Sequence, residues 1–89
     1  IVVPIFNVED YLEECLLSIE AALDGSFQAE VICVNDGSTD GSEAIALTFA
    51  ARDPRFRVIS QSNGGYGKAI NTGMKAAKGT FLQLWNLMM

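Results

Sequence analysis

Apolar and polar positions along this chain follow a pattern that predicts strands and helices in regular alternation. Four short apolar runs have the length and composition of buried strands, at residues 1–5, 31–34, 56–60 and 81–85. Three longer segments between them carry apolar residues at helical spacing, at about residues 8–23, 41–52 and 66–78. The predicted order is βαβαβαβ, and its short connections favour an α/β fold with a doubly wound, mostly parallel sheet.

Residues at the segment ends predict where the elements begin and stop. Asn7 is a suitable N-cap for the first helix, with Asp10 three residues later, close to a capping box. Asp40 is the expected N-cap of the second helix, and Glu43 takes the capping-box position. Pro4 has no N–H to donate to a sheet, so we expect the first strand to end near it.

Composition narrows the functions open to the chain. Its 89 residues are 49% hydrophobic, enough for one small domain or part of a larger one. Ile1 already reads as strand interior, so we expect a fragment. The net charge of −5 argues against nucleic-acid binding, and the absence of His excludes His catalysis and His-ligated metal within this sequence. Cys15 and Cys33 fall in apolar patterns, which predicts buried free thiols and a reducing compartment.

The residues best suited to binding a ligand follow the predicted strands. The second strand runs into residues 34–40, Val-Asn-Asp-Gly-Ser-Thr-Asp, a glycine-containing turn that opens a helix. Asp36 would lie at the carboxyl end of a buried strand, where ligands of open α/β sheets collect. Phe6 and Asn7 follow the first strand, and the glycine-rich residues 61–68 follow the third. In a parallel sheet all three loops emerge at one edge.

These loops offer what a nucleotide needs. A base can stack on Phe6 and hydrogen-bond to Asp36, while phosphates suit the backbone of residues 64–67, the start of the third helix and Lys68. Plainer interpretations remain open for each group. Asp36 could belong only to a turn and Asp40 only to a helix cap, the glycines could form a tight loop without ligand, Lys68 could be solvated, and Phe6 could cover the core.

Two common phosphate-binding motifs fail in this sequence. Ile70 stands where a GxGxxG pattern needs its third Gly, which argues against a dinucleotide dehydrogenase. Ser62 and Ala69 replace the leading Gly and the Ser/Thr of a P-loop, which argues against a P-loop NTPase. A receiver-like phosphoacceptor domain would need clustered acids after the first strand, and that strand ends in Pro4-Ile5-Phe6-Asn7 instead.

Taken together, the motifs resemble those of the family 2 glycosyltransferases, which have the GT-A fold. The matching stretches run over almost the whole chain, to about residue 82: VPIFN at 3–7, YLEECL at 11–16, SI at 18–19, VNDGSTDGS at 34–42, NGG at 63–65, NTG at 71–73 and AKG at 77–79. The resemblance implies that residues 1–89 are the N-terminal, nucleotide-sugar-binding part of a GT-A domain whose acceptor half is absent. It also implies sugar transfer from a nucleotide-diphosphate sugar, typically a UDP-sugar, to an acceptor hydroxyl with inversion.

The resemblance assigns contacts with the nucleotide sugar to seven residues. These are Pro4, Phe6 and Asn7 around the nucleoside, Asp36 on the base, typically uracil, and Gly64, Gly65 and Lys68 near the ribose and diphosphate. In the intact family enzyme, Mn²⁺ or Mg²⁺ is expected on an acidic D-x-D motif after the next strand, and a later acid is the expected general base. Here Trp85-Asn86-Leu87-Met88-Met89 stands in place of those acids, so we assign no metal ligand or catalytic residue, and we expect this chain alone to be inactive.

The apolar tail that replaces the acidic motif suggests two further expectations. Read one base earlier, codons that can encode residues 84–89 give Val-Val-Glu-Ser-Asp-Asp, so a shifted reading frame is one hypothesis and natural divergence is the other. The tail is also a sticky surface through which the chain could form homo-oligomers.

A second functional class stays open, namely a non-catalytic nucleotide-binding or interaction module. The donor sugar and the acceptor saccharide or lipid cannot be read from these residues. Family habit implies polysaccharide biosynthesis in the bacterial cytoplasm, in association with the inner face of the membrane.

Overall fold

A computed structural model of the chain describes residues 1–25 and 29–77, in which three strands alternate with three helices. In chain order these elements are β1 (Val2–Ile5), α1 (Glu9–Ala22), β2 (Val31–Asp36), α2 (Ser42–Arg52), β3 (Phe56–Gln61) and α3 (Tyr66–Ala76). The strands are parallel and lie side by side in the order β1-β2-β3. The predicted α/β fold with a Rossmann-like parallel sheet is confirmed, whereas the fourth strand and the apolar tail lie outside the described residues.

Helices cover both faces of this sheet. On one face α1 and α2 enclose the larger core, whose buried members are Val3, Ile5, Val8, Leu12, Leu16, Ile19, Val31, Cys33, Ala46, Phe49 and Phe56. On the other face α3 packs through Ala69 on Val2, Ile32 and Val34. All six residues of β2 are buried, because this strand lies between two others and beneath helices on both faces. Its uninterrupted apolar run in the sequence follows from that position.

β1 ends at Ile5, one residue after Pro4, which confirms the prediction that the strand ends near the proline. Ile1 donates its N–H to the carbonyl of Glu30, and its own carbonyl accepts from the N–H of Ile32, both at 2.8 Å. Hydrogen bonding alternates along a strand, so the odd-numbered residues of β1 bond to β2. The missing N–H of Pro4 points away from β2, and the proline leaves this ladder intact.

The predicted N-caps of α1 and α2 are corrected. The N-cap of α1 is Val8 and not Asn7, and the N-cap of α2 is Gly41 and not Asp40. Neither N-cap residue makes a side-chain capping bond. Asp40 lies one residue earlier and accepts the N–H of Ser42 at 2.9 Å. Apart from this local bond, the first N–H groups of both helices are satisfied by more distant partners, which belong to the candidate site.

The two cysteines are free, and Cys33 is fully buried whereas Cys15 is partly exposed. Burial, and to a smaller extent the neighbouring Cys15, raises the pKa of the Cys33 thiol to about 12. The prediction of a buried free thiol is confirmed for Cys33 and only in part for Cys15. Among the described helices, none has the length and apolar content that a membrane span needs.

Gly73 allows α3 to lie close against β1. A Cβ at this position would overlap the side chain of Val2, which is itself completely buried. Gly67, near the start of the same helix, has open space where a Cβ would be. The same substitution at these two glycines therefore separates packing from helix propensity.

We expect Gly73→Ala to destabilise the chain by about 1–3 kcal/mol, because α3 must move away from the sheet to accommodate the methyl group. The matched change Gly67→Ala should be neutral or stabilising by up to about 1 kcal/mol, since alanine favours the helix. Urea denaturation followed by circular dichroism measures both values. Equal effects of the two substitutions would contradict the close packing of α3 on β1.

Candidate functional site

The carboxyl ends of the three strands lie at one edge of the sheet, as predicted. Phe6 and Asn7 follow β1, residues 37–41 follow β2, and residues 62–65 follow β3 and lead into α3. β2 and β3 each extend beyond their predicted ends, so Asp36 and Gln61 are the last residues of paired strands. Sheet hydrogen bonding therefore fixes the backbone positions from which both side chains project.

On the α1–α2 side of this edge, polar side chains fasten the first loop to the second. Asn7 has a left-handed backbone, with φ of 50°, and its side-chain oxygen accepts the N–H of Thr39 at 2.8 Å. In return, the hydroxyl oxygen of Ser38 accepts the N–H of Asn7 at 3.1 Å. Asn7 therefore serves the fold directly, and its predicted contact with a nucleoside remains untested.

The starts of α1 and α2, which lie on the same face of the sheet, cap each other. The N–H of Val8 donates to the hydroxyl of Ser42 at 2.9 Å, and the N–H of Glu9 donates to Asp40 at 3.2 Å. In the opposite direction, the Glu9 carboxylate accepts the N–H of Gly41 at 3.0 Å. These bonds satisfy N–H groups that helix geometry leaves without partners. The plainer interpretation of Asp40, as a capping residue, is the one that the structure supports.

Asn35 and Asp36 serve opposite faces of the sheet because successive side chains of a strand alternate in direction. The Asn35 amide group donates to Glu43 and to Ser60, both at 3.4 Å, and its oxygen accepts the N–H of Ser38 at 3.2 Å. Glu43 also accepts a short hydrogen bond from Ser60. Instead of completing a capping box, Glu43 therefore links α2 to the ends of β2 and β3.

Asp36, on the α3 side, binds the glycine loop through both carboxylate oxygens. Oδ1 accepts the N–H of Gly64 and the Nε2–H of Gln61, and Oδ2 accepts the N–H of Gly65, each at 2.9 Å. The residue is only 1% exposed. In this conformation, Asp36 holds the start of α3 against the end of β2, and three of the predicted site residues, Asp36, Gly64 and Gly65, are in direct contact.

The carboxyl group of Asp36 is kept ionised despite its burial. Burial raises its pKa, but the hydrogen bonds from Gln61, Gly64 and Gly65, with the positive charge of Lys68, outweigh it and hold the pKa below 3.8. The arginines form ion pairs elsewhere, with Arg52 on Glu20, Arg55 on Asp53 and Arg57 on Glu30. Among the described residues, Lys68 is the cation whose charge lowers the pKa of Asp36.

The loops after β2 and β3 approach so closely that Gly37 has no room for a side chain. A Cβ on Gly37 would lie 2.7 Å from the backbone nitrogen of Asn63, and its φ of 76° favours glycine as well. The side chain of Lys68 lies over Gly64, where a Cβ would overlap it. These contacts give the two glycines a packing role beside any role in ligand binding.

Aromatic and apolar groups at the edge differ in accessibility. Phe6 is 36% exposed and Tyr66 is 40% exposed, so both present ring surface to solvent. Pro4 is completely buried within β1 and offers no surface to a ligand in this conformation. Within residues 1–25 and 29–77, no cluster of three or more acidic, Cys or His residues is placed to hold a metal ion.

Sequence reasoning missed Gln61 and Thr72 as members of this site. Gln61 bridges Asp36 and α3, because its Oε1 accepts the hydroxyl proton of Thr72 at 2.6 Å. The predicted first residues of the second and third strands, 31 and 56, could have identified Gln61. If the two strands begin level with each other, Asp36 and Gln61 must be opposite one another, as the observed register shows.

Replacing Asp36 with Asn tests how much this buried charge contributes. In Asp36→Asn the side-chain NH2 group must face at least one of the three N–H groups that donate to Asp36. We therefore expect the free energy of unfolding to fall by about 1–3 kcal/mol at pH 7. Since the folded-state pKa is lowered, the stabilisation is present above 3.8 and is lost as pH falls through the folded-state value. The difference from wild type in urea denaturation should therefore shrink below about pH 4. The control is Asp10→Asn, at an exposed position of α1, and a similar loss of stability there would contradict the role of Asp36.

Comparison with known proteins gives a consistent assignment. A family model described as Glycosyl transferase family 2 matches residues 1–86. The uncharacterized glycosyltransferase EpsJ of Bacillus subtilis is 49% identical over 82 residues, which are 92% of this chain and 23% of EpsJ. Glycosyltransferase GlyG of Streptococcus pneumoniae is 43% identical over 86 residues, 94% of this chain and 28% of GlyG. The chain thus spans about a quarter of the length of these two relatives.

A solved structure shows the same fold with its ligands bound. The mannosyltransferase PcManGT from Pyrobaculum calidifontis, in complex with GDP-Man and Mn²⁺, superposes with a TM-score of 0.66 at 25% identity. The match covers 86% of this chain and 23% of the mannosyltransferase. On the strength of the family match and these relatives, the chain belongs to glycosyltransferase family 2 and has the GT-A type of α/β fold.

Proposed function

We propose that this chain is the donor-binding part of a glycosyltransferase that moves a sugar from a nucleotide-diphosphate sugar to an acceptor hydroxyl. The observation that carries the proposal is the ionised, buried Asp36 at the end of the central strand, joined to the glycine loop and near Lys68. Membership of family 2 supports the same reaction class. The acceptor and the chemical step belong to the longer protein, where inverting displacement is the mechanism that we propose.

For the nucleoside, we propose that the base stacks on Phe6 and donates an N–H to Asp36. A carboxylate has about four acceptor positions, and three of those on Asp36 are taken by protein donors. The one that remains, on Oδ2, suits the single imide N–H of uracil. Because Asp36 is 1% exposed, the base must displace part of the glycine loop to reach it.

For the diphosphate, the amides of Gly64 and Gly65 are already bonded to Asp36. The first intrahelical bond of α3 runs from Ala69 N–H to Gly65 carbonyl, so helix geometry leaves the preceding N–H groups without intrahelical partners. Those groups and Lys68 are suited to an anion. The structural neighbour binds its nucleotide sugar with Mn²⁺, but the described residues do not form a metal site, and we derive no step through a metal from them.

Calorimetric titration with UDP and GDP, each with and without Mn²⁺, tests the proposed donor. We expect UDP to bind more tightly than GDP, and binding to be abolished in Asp36→Ala and retained in Asp10→Ala. Circular dichroism shows whether each variant is folded at the titration temperature. Tighter binding of GDP would overturn the choice of uracil, and a folded chain that binds neither nucleotide would overturn donor binding.

Lys68→Met tests the diphosphate contact separately from the nucleoside contact. Losing one charge-assisted contact should weaken UDP binding by about tenfold, corresponding to about 1.4 kcal/mol, and leave uridine binding unchanged. Lys75→Met, in the last turn of the same helix, removes an equal charge and should leave UDP binding within about twofold of wild type. Equal losses in the two variants, or equal losses for UDP and uridine, would contradict a specific role for Lys68.

A further inference from the structure

Gln61 connects the buried carboxylate at the end of β2 to the body of α3. Its Nε2–H donates to Asp36 Oδ1 at 2.9 Å, and its Oε1 accepts from the hydroxyl of Thr72 at 2.6 Å. The same hydroxyl lies 3.0 Å from the carbonyl of Lys68, one turn earlier in α3. Gln61 is level with Asp36 in the β2–β3 register and lies on the same face of the sheet. Both ends of its side-chain amide are therefore engaged.

The position demands a group that is neutral and carries both a donor and an acceptor. Toward Asp36 it must donate, because a carboxylate only accepts, and the oxygen at its other end then accepts the hydroxyl proton that Thr72 shares with the Lys68 carbonyl. A glutamine meets both demands without adding charge. A carboxylate of the same shape would place two negative charges within hydrogen-bond distance, which raises the pKa of one of them strongly.

We propose that Gln61 is a positioning residue that holds the Asp36 carboxylate and the glycine loop in the arrangement that receives the nucleotide. The consequence for nucleotide binding rests on the function proposed above. The hydrogen-bonded arrangement itself does not, since it is formed wholly by residues of this chain. Neither the family match nor the relatives assign a role to this residue.

The charged groups around Asp36 set the pH range of a test. Lys68 on α3 is the charge that acts on Asp36, while Tyr66 is the other titratable group at the start of that helix. Glu43 of α2 bonds to Asn35 and Ser60 on the opposite face of the sheet. β1, from Val2 to Ile5, carries no titratable side chain. Between pH 5 and pH 8, Asp36 is therefore ionised in the wild-type chain.

Gln61→Glu makes the proposed positioning role measurable as a change in UDP affinity with pH. At pH 8 the introduced carboxylate repels Asp36, and we expect UDP binding about tenfold weaker than wild type, equivalent to about one pKa unit of interaction. At pH 5 the two carboxyl groups share a proton, which restores a donor toward Asp36, and binding should return to within about twofold. The ratio of variant to wild-type Kd is taken at each pH, so that the ionisation of UDP cancels.

Two further substitutions distinguish positioning from general damage to the fold. Gln61→Leu keeps the size but has no donor, so its loss of affinity should be the same at pH 5 and pH 8. Thr72→Val removes the hydroxyl and should weaken binding at every pH, whereas Thr72→Ser keeps the hydroxyl and should bind like wild type. A Gln61→Glu to wild-type ratio that stays constant from pH 5 to pH 8, or unaltered binding by Gln61→Leu, would overturn the proposal.

Nuclear magnetic resonance of the ligand-free chain provides a readout that needs no nucleotide. The backbone amide resonances of Gly64 and Gly65 should move as Asp36 is protonated, with a midpoint below 3.8 in wild type. Gln61→Leu should raise that midpoint, and Gln61→Glu should add a transition above pH 5. If wild type binds neither UDP nor GDP, donor binding fails while these titrations still decide the positioning role. Midpoints unchanged by both substitutions would overturn it.

Discussion

The arrangement of this edge depends on the burial of one negative charge, the carboxylate of Asp36 at the end of the central strand. Removing an ionised carboxylate from water is unfavourable by several kcal/mol unless hydrogen bonds and opposite charge replace the lost hydration. Gly64, Gly65 and Gln61 supply the hydrogen bonds, and Lys68 supplies the opposite charge. Consequently the loop after β3 must cross to the end of β2, and α3 must begin there.

Because side chains alternate along β2, two adjacent polar residues form hydrogen bonds on opposite faces of the sheet. Asn35 faces α2 and ties Ser38, Ser60 and Glu43 together, while Asp36 faces α3 and ties down the glycine loop. A shift of one residue in the strand register would exchange the two environments, placing a carboxylate near Glu43 and leaving the glycine amides without an anion. Both polar residues therefore help to specify the register that the apolar residues of β2 establish.

Sequence reasoning succeeded where the determining forces are local or periodic. The order of strands and helices follows from apolar spacing, and the shared edge follows from parallel strands, so Asp36, Gly64 and Gly65 could be brought together from the sequence. Capping was misjudged because the partners of Asn7 lie 31 and 32 residues away, and Asp40 bonds to Glu9, 31 residues away, as well as to the nearby Ser42. Local capping rules contain no information about contacts at that separation. The end of β1 near Pro4 could be predicted, but the place of Pro4 inside the paired strand depends on which side of the strand its nitrogen faces.

The contacts of Asp36 also limit how the predicted nucleotide contacts can operate together. Sequence reasoning gave the base to Asp36 and the phosphates to the glycine backbone, as if the two were independent. In the structure, the N–H groups of Gly64 and Gly65 donate to that same carboxylate, and an N–H that is bonded to Asp36 is not free for a phosphate oxygen. Either the diphosphate uses Lys68 and the first turn of α3, or the base and the diphosphate exchange partners with the loop on binding. In both cases the proposed nucleoside and diphosphate subsites would be coupled through one carboxylate, because any movement of the glycine loop changes the hydrogen bonds that keep Asp36 ionised.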